Sequence, residues 1–218
     1  FLIEVSKIQG VYVPSLYDIT YNENNTIKSV TPKCGAPATV KKRIMTDIDK
    51  SYYPEKFVVP LIEIVHDRAV AEVLRGCIRG CRFCQAGFIY RPFREKSVNV
   101  IDRQCHALCD NTGYDEISLS SLSTNDYSKI DELLDKLLLW TNKEKTGISL
   151  PSLRVDSFST ELMNKIKSVR RSGLTFAPEA GTQRLRDVIN KNVTEEDLLK
   201  TVTTAFKGGW TTIKLYFM

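Results

Sequence analysis

The sequence has no apolar run of the length that spans a bilayer and no charged-then-apolar leader, so no stretch is expected to enter a membrane or direct secretion. It also lacks a dominant charge. The 31 lysines and arginines stand against 26 aspartates and glutamates, a net charge of +5. That balance permits contact with a nucleic acid or another anion, but it is not the polybasic signature of a dedicated nucleic-acid binder. A starting methionine is missing as well. The chain opens on Phe1 and stops at Phe217-Met218 inside an expected strand, and we expect it to be part of a longer protein. At 218 residues and 42% hydrophobic content, it is long enough to bury one full core, and one main domain is the default.

What is present in concentration is cysteine. Six cysteines would allow three disulfides in a secreted protein, but Cys77, Cys81 and Cys84 stand too close in sequence to bridge one another without strain. With no leader, this spacing favours a reducing cytosol. Thiolates so close together suit one soft metal centre, iron–sulfur or zinc. A structural zinc site needs four ligands, commonly from two local pairs, and here no second pair completes the tetrahedron. Three fixed ligands leave one corner open.

The array Cys77-x3-Cys81-x2-Cys84, with Phe83 just before the last cysteine, resembles the cluster loop of the radical S-adenosylmethionine (SAM) enzymes. The resemblance implies that the three thiolates hold three irons of a [4Fe-4S] cluster and that SAM takes the fourth. It further implies that one electron splits the sulfonium to methionine and a 5′-deoxyadenosyl radical. The electron would come from a donor such as flavodoxin or ferredoxin. The substrate is open, with an anion or a nucleic acid as the classes the charge permits.

Residues 1–68 carry short β-prone runs broken by Pro14, Pro32, Pro37, Pro54 and Pro60, with Asn24-Asn25 as a turn, and are expected to be a linker with short strands. Cys34 is read as a lone thiol, Val40-Lys41-Lys42-Arg43 as a solvated edge and His66 as a structural hydrogen-bonding histidine. From Ala69 the pattern becomes regular. Expected strands at 69–74, 115–122, 148–155, 174–177 and 211–217 alternate with helices. Ser97 caps the first helix, whose stripe is Val98, Ile101, Cys105, Leu108 and Cys109. Ser128 and Asp131 suggest a capping box for a helix facing inward through Ile130, Leu133, Leu134, Leu137 and Leu138. Leu162, Met163, Ile166 and Val169 mark another helix, ended by Gly173. A shorter one follows at Leu185, Val188 and Ile189. Thr194 and Asp197 cap the last, with Leu198, Leu199, Val202, Ala205 and Phe206 inward. Cys105 and Cys109 are read as apolar fillers, and His106 as exposed at the stripe's edge.

Alternating strands and helices imply a parallel α/β sheet with function at the carboxyl ends of the strands. The resemblance implies more: residues 69–218 form most of a radical SAM core, a partial (β/α)6 TIM-like barrel incomplete at its C-terminal end. It also implies SAM contacts. Ser120 and Ser121 stand where many members have a glycine-rich turn, Arg154 lies in an Arg-x-Asp, and Glu179 lies in Phe176-Ala177-Pro178-Glu179-Ala180-Gly181-Thr182. Phe83 completes that set, a salt bridge within the barrel is the other reading of Arg154, and Lys214 is the weakest candidate. The wording of the cysteine loop, DEISLSSLSTNDY and TFAPEAGTQRLRDVI is similar to a branch of radical SAM proteins associated with a B12-binding domain. No Asp-x-His-x-x-Gly cobalamin signature occurs here. A second three-cysteine segment, expected of a methylthiotransferase, is also missing from residues 1–68. The competing class is a zinc- or cluster-stabilised nucleic-acid-binding module without catalysis.

Overall fold

The computed structural model describes residues 1–62, 64–151, 153–157, 161, 163, 165 and 173–218. The chain divides into two compact units, Phe1–Thr46 and Asp47–Met218. In the first, α1 (Leu2–Ser6) precedes the antiparallel hairpin of β1 (Tyr17–Tyr21) and β2 (Ile27–Pro32), with Tyr17 opposite Pro32. Asn25 turns the hairpin at φ 60°, a left-handed conformation that asparagine tolerates. Val13, Leu16, Tyr17 and Ala36 close a small apolar cluster, and the Tyr17 hydroxyl donates to the Pro37 carbonyl at 2.8 Å. The linker expected up to residue 68 is thus, through Thr46, a compact unit of its own. Two of its prolines sit at element ends, Pro14 opening a 3₁₀ turn and Pro32 closing β2, where a missing N–H costs little.

The second unit holds parallel strands. β3 (Ala69–Glu72) is followed by the two-residue β4 (Leu74–Arg75), helix α2 (Ala86–Ile89) and β5 (Arg94–Glu95). Next come α3 (Val98–Thr112), β6 (Glu116–Ser120), α4 (Ile130–Glu144) and β7 (Gly147–Ser149). The described chain ends with β8 (Leu174–Glu179), α5 (Gln183–Val188), α6 (Glu195–Lys207) and β9 (Ile213–Phe217). β3, β6 and β7 form one parallel sheet in that order, while β8 and β9 form a second parallel pair. This is the expected α/β fold, and among the described residues the strands do not close into a barrel.

Local chemistry explains the elements. The Ser97 hydroxyl accepts the Val100 N–H, Gly113 ends α3 at φ 74°, and the buried residues are the expected stripe plus Gln104. The box on α6 forms in full: Thr194 Oγ1 accepts the Asp197 N–H, and the Asp197 carboxylate accepts the Thr194 N–H, both at 3.0 Å. The box expected on α4 does not form. Ser128 instead gives its N–H and hydroxyl to the Glu95 carboxylate, each at 2.6 Å, and α4 is held by burying Leu133, Leu134, Leu137 and Trp140.

Other expectations change for physical reasons. The strand expected over 148–155 stops at Ser149 because Pro151 has no N–H for the ladder, and the chain turns through a 3₁₀ segment at Val155–Ser157. Leu74 leaves the first parallel strand to pair with Glu95, antiparallel. The strand expected at 174–177 runs on to Glu179. Leu199 and Phe206 are exposed, α6 burying Thr201 and Ala205 instead, and Leu215 and Phe217 are exposed on β9, which pairs only with β8 among the described residues. Met163 is buried, while Leu162, Ile166 and Val169 of that expected helix lie outside the described residues.

Candidate active site

The cysteine loop is framed by the β4–β5 ribbon. Gly76 opens it at φ +100°, and a Cβ there would lie 2.8 Å from the Tyr90 carbonyl oxygen. Gly76→Ala should therefore destabilise the protein by more than about 1 kcal/mol, measured as a lower urea midpoint. An unchanged midpoint would show the ribbon absorbing the methyl group.

Cys77, Cys81 and Cys84 are half-buried free thiols. The Arg79 N–H points at Cys77 Sγ, 3.4 Å away. Beyond the cysteines, the loop docks on the turn that follows α5. Arg82 N donates to the Ile189 carbonyl at 2.9 Å, Asn190 Nδ2 donates to the Gly80 carbonyl at 2.7 Å, and the Arg82 guanidinium reaches the Val188 carbonyl.

All three thiols line one cavity of about 370 Å³, together with Phe83, Arg154 and Glu179. Its charges form a connected set. Arg79 clasps Asp126 with two nitrogens, Nε at 2.9 Å, and its third nitrogen lies 3.4 Å from Asp156. Asp156 in turn takes a fork from Arg154 at 2.9 and 3.2 Å. Arg154 also donates to the Lys191 carbonyl at 3.2 Å, and Lys191 Nζ donates to Glu179 Oε1 at 3.1 Å. The Lys191 ammonium stands 5.8 Å from the Phe83 ring centre.

Hydrogen bonding to Asp126, more than the nearby charges, raises Arg79 above its usual value. Burial alone would push the Asp126 carboxyl up. Hydrogen bonds from Arg79, with the charges of Arg79 and Arg154, outweigh it and hold the group below the carboxylate range. Glu179 sits at φ 68°, a strained position for a residue with a side chain and one that commonly marks a functional site.

Two residues expected beside the thiols lie elsewhere. Ser120 and Ser121 line a neighbouring cavity of about 320 Å³ with Glu72, Arg75 and Gly76, and among the described residues only Leu122 borders both spaces. Ser121 Oγ is within 2.9 Å of Thr124 Oγ1. Lys214 does not line the thiol cavity, whereas its strand neighbour Tyr216 does. Sequence reasoning missed Arg79, Asp126, Lys191 and Tyr216. Arg79 alone carried a signal, lying inside the cysteine array.

Cys105 and Cys109 are buried in α3. Burial pushes both thiols up, Cys109 to about 11, which keeps them neutral and poor ligands. Cys105→Ala and Cys109→Ala should leave metal content unchanged, by iron assay, and cost only packing. A drop in iron would place a ligand on α3. His106, expected to be exposed at the stripe's edge, is half-buried instead, because its ring stacks on Trp140 at 3.9 Å between ring centres.

Among the described residues, no three Cys, His, Asp or Glu side chains are grouped so as to hold a single metal ion. The three thiols are spread around a cavity instead. A cubane cluster takes each thiolate at a separate iron, so this donor set fits one.

Thiols in the loop after β4, on a charged cavity that the parallel strands β8 and β9 also line, define an α/β protein built around a soft-metal cofactor site. Residues 71–218 match the radical SAM superfamily, and the chain belongs to that superfamily. An uncharacterized protein of Methanocaldococcus jannaschii, MJ0966, is 30% identical over 201 residues, covering 88% of this chain and 44% of that protein. A probable threonylcarbamoyladenosine tRNA methylthiotransferase of Archaeoglobus fulgidus is 26% identical over 151 residues, 65% of this chain and 35% of that one. The chain thus spans less than half the length of these relatives.

Among solved structures, the radical SAM methyltransferase TsrM from Kitasatospora setae, with cobalamin and a [4Fe-4S] cluster bound, superposes with a TM-score of 0.55 at 11% identity. The match covers 69% of this chain and 30% of that one. The cobalamin-dependent radical SAM enzyme OxsB, in its apo form, gives 0.57 at 14% identity over 91% and 28%. These two share the fold.

Proposed function

We propose that the chain is the core of a radical SAM enzyme in which Cys77, Cys81 and Cys84 hold a [4Fe-4S] cluster and SAM binds beside it. The observation that carries this reading is three free thiols on one strand-end cavity. A cluster held by these three thiolates would supply the electron for reductive cleavage of SAM.

The protein's own part is holding and shielding. Arg79 anchors the loop through Asp126 and Asp156, and Phe83 gives an apolar wall. Lys191 and Glu179 form an ion pair that suits a zwitterion: the SAM carboxylate would take Lys191 and its amino group Glu179, exchanging one pairing for two. Arg154 is already forked onto Asp156, so we assign it to positioning the site. Residues 69–218 are the catalytic core in this reading, an external donor such as flavodoxin or ferredoxin supplies the electron, and the cytosol is the compartment. The substrate reaching the radical is not assigned beyond an anion or nucleic acid.

The test is 5′-deoxyadenosine formed under dithionite by the full-length, anaerobically reconstituted protein. Glu179→Ala should lower product about tenfold or more, the worth of a charge-assisted contact, while iron content holds. No product from cluster-loaded wild type would sink the reading. Colourless protein containing zinc and no sulfide would favour the structural module instead.

A further inference from the structure

A third cavity, which the strand-end chemistry does not use, lies between β3, α3 and the segment after Ser51. It measures about 350 Å³, inside the usual range for small-molecule sites, roughly 300–1,000 Å³. Lys96 and Gln104 contribute to its wall and are only 4% and 2% exposed. The Lys96 ammonium donates to Gln104 Oε1 at 3.1 Å, and Gln104 Nε2 has no partner among the described residues. Two buried donor groups therefore stand side by side, one of them charged and one unsatisfied.

The carboxylates near Lys96 are engaged elsewhere. Glu72 takes Arg75 with both oxygens at 2.9 and 2.7 Å, and Asp49 accepts the Ser97 N–H at 2.7 Å. Burial, the largest influence, holds Lys96 below its ordinary value, which marks a cation short of compensation. Among the described charged residues of its lining, Arg68 is paired with Glu116 at 2.6 Å and Glu72 with Arg75, which leaves Lys96. Phe57, Leu108 and Val70 make much of the remaining wall apolar.

We propose that this cavity binds a small organic carboxylate, its oxygens held by Lys96 Nζ and Gln104 Nε2 and its carbon body by the apolar wall. A carboxylate compensates the buried ammonium and occupies the unsatisfied amide at once, whereas water would satisfy donors without supplying charge. The proposal does not depend on the reading of the thiol cavity.

Calorimetric titration with benzoate, using benzamide as the uncharged control, tests it on the intact protein. Wild type should bind benzoate saturably at one site. Lys96→Met and Gln104→Leu should each weaken binding, the first about tenfold or more, and Lys96→Arg should retain part of it. Lys191→Met, which removes a cation from the thiol cavity, should leave it unchanged. The proposal is overturned by the absence of saturable benzoate binding, by equal affinity for benzamide, or by binding lost in Lys191→Met and kept in Lys96→Met.

Discussion

Replacing any one of Cys77, Cys81 and Cys84 by alanine will reduce reconstituted iron from about four per chain to below one, with loss of the brown chromophore and matching sulfide. Thiolate is the ligand that soft iron prefers, and among the described residues no further thiol lines the cavity. Cys105 and Cys109 are held neutral by burial in α3. The effect should be close to all-or-none, since a cubane held by two thiolates has two irons open to solvent and chelators. Iron and sulfide assays with the visible spectrum check it. Full iron in all three variants would remove the basis of the proposed function.

Arg79→Met should cost about 3 kcal/mol of stability, the low end for breaking a buried ion pair. The Asp126 side chain is only 5% exposed, and Asp156 shares the same guanidinium, so the variant strands a buried carboxylate. The sign of the pH dependence follows from Asp126. Its folded value is depressed, so in wild type it contributes stability that is present above the unfolded value of about 3.9 and lost as the pH falls through the folded one. Without Arg79 that contribution is missing at neutral pH. The gap between variant and wild type should therefore be widest near pH 7 and narrow in acid. Urea melts at pH 7 and pH 3.5 measure it, and a gap unchanged with pH would assign the loss to packing alone. Arg79→Lys should restore part of the stability, because a point charge replaces a fork.

The sequence by itself determined the features whose partners lie a few residues apart. The three cysteines are such a feature, and so are the buried stripe of α3, the Ser97 cap, the Thr194–Asp197 box and the Asn24-Asn25 turn. Each follows from a fixed spacing on one helix, turn or loop, which neighbouring residues set. The parallel strands were legible for the same reason, through alternation and turn residues, although Pro151 ended one of them early.

What the tertiary structure decided lies between residues far apart. Arg79 meets Asp126 across 47 positions and Asn190 meets Gly80 across 110, and no local pattern encodes such pairs. Lys191 and Tyr216 reach the thiol cavity only because β8, β9 and the turn after α5 carry them there. Glu95 captured Ser128 from a spacing that otherwise spelled a helix cap. Ser120 and Ser121 moved to the neighbouring cavity because the β4–β5 ribbon, itself formed by non-local pairing, aims the cysteine loop past the end of β6 and toward α5. Spacing sets which side chains share a face; packing sets what that face meets.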